Sequence, residues 1–109
     1  MGAEVSNQPP VFEATVLGTT VTVVLRGEFD VSSEDFLSGQ LELIRQSGPG
    51  RLVFEAAQVG YLDCASSRLI AGTGRWLPAG VQPVISRPSP VVRRVLQVSG
   101  IGALCEIGL

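Results

Sequence analysis

The sequence contains no histidine and no lysine, so all eight basic residues of the 109-residue chain are arginine. Histidine-based acid–base catalysis, a Schiff base and a Walker-type phosphate lysine are therefore excluded. The net charge is −2, and nucleic-acid binding usually needs a basic surface. These absences exclude several kinds of catalysis and disfavour nucleic-acid binding.

Cysteine, long apolar runs and targeting signals are equally scarce. The two cysteines, Cys64 and Cys105, are too few for a secreted disulfide scaffold. No stretch reaches the roughly 18 apolar residues that cross a membrane. Residues 1–10 lack the basic and apolar regions of a signal peptide, and we expect them to form a flexible lead-in to one domain over 11–109. We therefore predict a reduced, cytoplasmic protein without a membrane partner.

What remains is a globular composition with 45% hydrophobic residues, arranged as alternating strand and helix patterns. The order β-β-α-β-α-β-α-β predicts an α/β fold with a mixed, mostly parallel sheet of about five strands and three main helices. Pro83 has no N–H group, so its strand lies near an edge or begins after it. The predicted strands are 11–15, 20–26, 51–56, 81–86 and 103–107, and the predicted helices begin near Ser32 or Ser33, at Cys64 and at Pro90, the second running to Leu77.

Several chemical motifs in the sequence are incomplete. Gly72-Thr73-Gly74 lacks the third glycine of a dinucleotide fingerprint and lies late in a predicted helix. Ser66 and Ser67 have no histidine or lysine to activate them. Asp63 is best interpreted as a helix N-cap and not as part of a carboxylate metal site. We therefore expect neither catalysis, nor a cofactor, nor a bound metal.

The two thiols leave one question open. Cys64 falls in the first turn of a predicted helix, where the helix dipole favours a thiolate. Cys105 falls on a predicted strand and is more typical of a small buried residue. The two are interpreted as independent thiols, with a Cys64–Cys105 redox pair as the alternative.

Three segments, in this order along the chain, resemble the STAS domain, the family of bacterial anti-sigma factor antagonists and sulfate-transporter tails. Gly27-Glu28-Phe29-Asp30 is similar to the GxxD turn of the family. The segment from Tyr61 to Ser66 is similar to its aromatic-hydrophobic-Asp-Ser-Ser-Gly turn. The segment from Pro88 to Leu96, followed by Ser99-Gly100, is similar to its third helix. The resemblance extends over roughly 11–109.

The resemblance implies an anti-sigma factor antagonist that works by partner switching. Such an antagonist binds an anti-sigma factor that is also a serine kinase, and binding releases the sigma factor for transcription in a stress response. Phosphorylation of a serine two residues after the motif aspartate then dissociates the complex, because phosphate adds about −1.5 to −2 charges to the contact surface. The partner-binding residues implied here are Asp30, Asp63, Cys64, Ala65, Ser66 and Arg68.

The chain departs from the family pattern at the phosphorylation site. Two residues after Asp63 stands Ala65, which has no hydroxyl group. Three hypotheses follow: the acceptor has moved to Ser66, the domain is not switched by serine phosphorylation, or Cys64 supplies a redox switch.

Alternatives to an antagonist are a STAS scaffold or regulatory module of another stress-signalling complex and, less favoured, a nucleotide-binding protein. We expect a monomer or a weak dimer.

Overall fold

A computed structural model describes residues 8–108 of the chain and shows a five-stranded sheet with the strand order β1-β2-β3-β4-β5. Strands β1 and β2 are antiparallel, and every later neighbour is parallel. The predicted α/β fold with a mixed, mostly parallel sheet is therefore confirmed. The strands are β1 (Val11–Leu17), β2 (Thr20–Phe29), β3 (Arg51–Leu62), β4 (Val84–Ser86) and β5 (Glu106–Ile107), and the helices are α1 (Glu34–Gln46), α2 (Cys64–Ala71) and α3 (Pro90–Ser99).

The opening hairpin follows from its local sequence. A two-residue turn at Gly18-Thr19 joins β1 to β2, and Gly18 has a φ of 63°, which glycine adopts without steric cost. In β2 every second residue is buried, starting at Val21. This alternation is the pattern of a strand with one face in the core.

All three helices pack on the same face of the sheet. The inward residues of the central strands, such as Val23 and Phe54, share one buried cluster with Leu37, Ile70 and Leu96 from the three helices. The alternate residues of the strands do not belong to that cluster. The opposite face of the sheet is thus left without a covering helix among the described residues, and it carries ion pairs such as Arg26–Glu13 at 2.9 Å.

Gly27 is the position at which the chain before β1 contacts β2. It is buried, its φ is 87°, and a Cβ atom there would lie 2.1 Å from the Pro9 carbonyl oxygen. The Glu28 N–H donates a hydrogen bond of 3.1 Å to the Gln8 carbonyl. Only glycine permits this approach. Residues 1–7 of the predicted flexible lead-in lie outside the described residues.

Several predicted boundaries are wrong. Strands β2 and β3 continue to Phe29 and Leu62, beyond their predicted ends at residues 26 and 56. Strand β4 begins after Pro83, which is one of the two alternatives predicted for it. A 3-10 helix occupies 101–104, so that β5 contains only two residues.

The second helix is also shorter than predicted, because α2 ends at Ala71 and not at Leu77. Residues 72–75 form a 3-10 helix instead. The Thr73 hydroxyl donates to the Ile70 carbonyl at 2.7 Å, three residues back, and Gly74 packs against the Pro83 ring. The tighter turn brings the backbone close to the chain entering β4.

Candidate functional site

Two predicted site residues meet where adjacent parallel strands end. Phe29 of β2 pairs with Leu62 of β3, so Asp30 and Asp63 are the next residues of neighbouring strands. The Asp63 N–H donates to the Phe29 carbonyl at 3.0 Å. The long β2–β3 pairing thus brings together two of the segments singled out in the sequence. We call this end of the sheet, where β2, β3 and β4 finish, its carboxyl end.

Asp30 organises the loop that leads into α1. Its Oδ1 atom accepts hydrogen bonds from the Ser32 hydroxyl at 2.6 Å and the Ser32 N–H at 2.9 Å. The Ser32 hydroxyl, followed by the Ser32 N–H, lowers the pKa of Asp30. The Asp30 N–H in turn donates to the Ser33 hydroxyl at 3.0 Å, which completes a capping box.

The predicted helix start near Ser32 or Ser33 is confirmed. The side chain of Asp30 caps the 3-10 turn over 31–33 that precedes α1. Ser33 is the N-cap residue of α1 by position, but its side chain makes no capping hydrogen bond to that helix.

Asp63 caps α2, as predicted. Its Oδ1 atom accepts a 2.7 Å hydrogen bond from the Ser66 N–H, and its carbonyl accepts one of 3.0 Å from the Ser67 N–H. The first of these bonds satisfies an N–H group that a helix start otherwise leaves without a partner, and the second is the first backbone bond of the helix itself. The Asp63 carboxylate is thus held in place at the helix start, and its role there is structural.

The first turn of α2 presents a small and largely apolar surface. Cys64 is exposed and Ala65 is half-buried, whereas Ser66 and Ser67 are buried. Arg68, one turn beyond Cys64, is exposed. We call Cys64 and Ala65, together with Val31 of the neighbouring 3-10 turn, the helix-start surface. The Val31 side chain is 76% exposed.

Ser66 is poorly placed to accept phosphate in this conformation. Its relative exposure is 0%, and its hydroxyl has no hydrogen-bond partner among the described residues. The Ser67 hydroxyl is buried too and donates to the Cys64 carbonyl at 2.8 Å. A kinase could reach either hydroxyl only after α2 had opened locally, so their burial argues against an acceptor shifted to Ser66.

The structure contradicts a Cys64–Cys105 disulfide. Both thiols are free. Cys64 follows β3 at the carboxyl end of the sheet, whereas Cys105 immediately precedes β5, whose first residue is in register with Val84 and hence with Val53 of β3. From Val53 to the end of β3 the strand rises roughly 30 Å, and a disulfide needs Cα atoms within about 7 Å. Burial raises the pKa of Cys105 to about 11, so its thiolate is disfavoured.

An apolar groove lies beside the helix-start surface, and the sequence analysis does not predict it. It is lined by side chains of β3, α2 and α3, and Val98 in it is 74% exposed and Tyr61 is 48% exposed. The signal is visible in the sequence, because Val91, Val95 and Val98 recur at helical spacing beside the buried pair Val92 and Leu96. Arg94 also lines this groove.

Neither a metal cluster nor a membrane span occurs in the described part of the chain. No group of three or more histidine, cysteine or carboxylate side chains suited to a metal ion is found among residues 8–108. None of the helices there is long and apolar enough to cross a bilayer.

Comparison with known proteins agrees with the fold. Residues 13–106 match the family described as "Mlab, STAS domain". The chain belongs to the STAS domain family. None of the curated proteins matches it in sequence.

Solved STAS structures share the fold at low sequence identity. The anti-sigma factor antagonist SpoIIAA in its unphosphorylated form is 24% identical, with a TM-score of 0.74 over 91% of this chain and 89% of that one. An anti-sigma factor antagonist from Mycobacterium paratuberculosis is 19% identical, with a TM-score of 0.79 over 92% and 86%. A serine-to-glutamate variant of Moorella thermoacetica RsbS is 19% identical, with a TM-score of 0.64 over 95% and 87%. Two of these neighbours are described as antagonists of anti-sigma factors.

Proposed function

We propose that this STAS domain is an anti-sigma factor antagonist that binds a serine-kinase-type anti-sigma factor and thereby releases a sigma factor. Membership of the STAS family and the shared fold of two antagonists support the proposal. The observation that carries it is local: the motif segments that contain Asp30 and Asp63 lie side by side, next to an exposed helix start. The domain acts as a binding module without catalysis of its own.

The proposed docking area is the helix-start surface together with the apolar groove beside it. Val31, Tyr61 and Val98 expose large apolar side chains at or near the carboxyl end of the sheet. Clustered apolar side chains of this kind mark sites of protein association. Asp30 and Asp63 hold the backbone of this area through their caps, so we propose that they act by positioning it.

Regulation of the complex differs from the usual family switch in this proposal. SpoIIAA has been solved in both unphosphorylated and phosphorylated forms. At the position that the family resemblance assigns to the phosphoserine this chain has Ala65, and the hydroxyls of Ser66 and Ser67 are buried. The proposed antagonist is therefore not switched off by a kinase at the start of α2, and its affinity for the partner is constitutive.

An introduced carboxylate tests the docking area. Ala65→Glu should remain folded, since an acidic side chain in the first turn of a helix is favoured by about 0.3–1 kcal/mol. Affinity for the anti-sigma factor should fall sharply, because the charge is desolvated against a surface suited to a methyl group. Titration calorimetry measures the affinity. Phosphosite mapping of the wild type after incubation with the anti-sigma factor and ATP should find residues 64–67 unmodified.

The matched control is Leu43→Glu, which places the same charge on an exposed position of α1 remote from the carboxyl end of the sheet. It should bind as the wild type does. Equal affinity of Ala65→Glu and the wild type would remove the helix start from the interface. Stoichiometric phosphate on Ser66 would show a shifted switch and contradict the constitutive mode. Capture of the partner from the native host, identified by mass spectrometry, tests the class of protein bound.

A further inference from the structure

Strand β1 forms one edge of the sheet, and its outer side is uncovered by any described residue. It pairs only with β2, and its last five residues are exposed, with Val16 at 63% and Leu17 at 82%. Natural edge strands are usually protected by proline, lysine, bulges or short length. This seven-residue strand contains neither proline nor lysine, and its one charge, on Glu13, is paired with Arg26.

The turn determines which backbone groups of β1 are free. In a two-residue hairpin the residues that flank the turn, here Leu17 and Thr20, exchange hydrogen bonds with each other. Every second residue of β1, counted back from Leu17, then bonds inward to β2. The N–H and carbonyl groups of Phe12, Ala14 and Val16 point outward and are available to another strand.

These outward groups are self-complementary about Ala14. If a second copy of β1 approaches in the antiparallel sense with Ala14 opposite Ala14, Phe12 comes opposite Val16 at both ends. All three are hydrogen-bonded pairs, in which each residue donates its N–H to the carbonyl of the other. They therefore provide about six hydrogen bonds between the chains. Ala14 and the exposed Val16 then extend the apolar face of the sheet across the junction.

Charge placement agrees with this register. Glu13 comes opposite Thr15 of the second copy, so no two carboxylates are directly opposed, and each Glu13 keeps its own Arg26 at 2.9 Å. A register centred on Glu13 would place the two carboxylates face to face. The other edge of the sheet, β5, has only two residues, which is too short for head-to-tail pairing with β1.

We propose that two copies of this chain associate through β1, forming one continuous sheet across an antiparallel junction with a two-fold axis at Ala14. The carboxyl end of the sheet is not part of this contact. The dimer therefore leaves the helix-start surface free, and the inference is independent of the proposed function.

Charge swapping at the axis tests the register. Ala14 is exposed, so Ala14→Lys and Ala14→Glu should fold normally, but each places two like charges directly opposite one another. Sedimentation equilibrium should show a wild-type dimer and, for either variant alone, a dissociation constant raised by about tenfold or more. An equimolar mixture of the two variants should restore the dimer, because lysine then faces glutamate. Leu43→Lys, with the same charge on α1, should dimerise as the wild type does.

Crosslinking locates the axis. In a Cys64→Ser background, Ala14→Cys should form an intermolecular disulfide on oxidation, because paired Cα atoms lie about 5.5 Å apart. Leu17→Cys in the same background comes opposite Val11 of the second copy and should not crosslink with itself. A wild type that stays monomeric at millimolar concentration would overturn the proposal. If both Ala14→Lys and Ala14→Glu leave a dimer intact, the contact lies on another surface, and the proposal is likewise overturned.

Discussion

Single side chains at the carboxyl end of the sheet act through local hydrogen bonds. Asp30 and Asp63 each accept backbone N–H groups within three residues along the chain. Such caps define where the loop ends and the helix begins, and so they determine which residues of the first turn are exposed. A role that depends on acceptor geometry can be separated by mutation from one that depends on charge.

Asp63→Ala should lower the free energy of unfolding by about 1 kcal/mol, because the Ser66 N–H loses its acceptor. Asp63→Asn is the matched variant, since its side-chain oxygen can still accept that bond, and it should lose only a few tenths of this amount. Urea denaturation measures both. An equal loss in the two variants would attribute the effect to the charge of Asp63 and not to its cap.

Cys105 should make the stability sensitive to alkaline pH. Burial raises its pKa from 9.0 to about 11 in the folded state, so the protonated thiol is favoured by folding. The corresponding stability is fully present below about pH 9 and is lost as the pH rises to about 11, by an amount on the order of 1–2 kcal/mol. Denaturation curves of the wild type and of Cys105→Ala should converge over this interval. A constant difference between them would contradict the assignment, and Cys64→Ser should follow the wild type.

At the scale of elements, the end of α2 depends on packing more than on helix propensity. Helix α2 is followed by a 3-10 turn that begins at Gly72. Trp76 and Leu77 come directly after that turn and pack in or against the core. Leu77 is buried, with 6% exposure, whereas Trp76 packs against the cluster while remaining half-buried. The segment predicted as one continuous helix to Leu77 thus contains two different kinds of turn.

Trp76→Ala should cost about 2–3 kcal/mol, less than the roughly 3–5 kcal/mol typical of an enclosed tryptophan, because part of its ring is already in water. Leu77→Ala, at the buried neighbouring position, should cost about 2–5 kcal/mol. Chemical denaturation followed by far-UV circular dichroism measures both, since the first variant lacks the only tryptophan. A change near zero for Trp76→Ala would mean that its ring does not contact the core.

At the scale of the whole molecule, one buried cluster connects every helix with the central strands. No described residue belongs to a second core. A chain of 109 residues with a single core should unfold as one cooperative unit.

Trp76 fluorescence, which reports on the end of α2, and far-UV circular dichroism, which reports on the whole chain, should therefore give the same midpoint in urea. The coincidence is expected because α2 packs on the same strands as α1 and α3. Two separate midpoints would divide the domain into independently folding parts. Titration at several protein concentrations controls for any contribution from association.

Local patterns along the chain already contain much of this architecture. The alternation in β2, the Gly18 turn, the Asp63 cap and the Ser89-Pro90 helix start each depend on residues within a few positions of one another. For that reason the element order, the α/β class and the α2 start could be predicted correctly.

Long-range contacts decided the rest. Strands β2 and β3 extend to Phe29 and Leu62 because they pair with each other, which neither segment shows alone. The burial of Ser66 and the separation of Cys64 from Cys105 depend on which faces and ends of the sheet meet. Strand pairing and burial join residues that are far apart along the chain, so only the tertiary structure determines which side chains the helix start exposes.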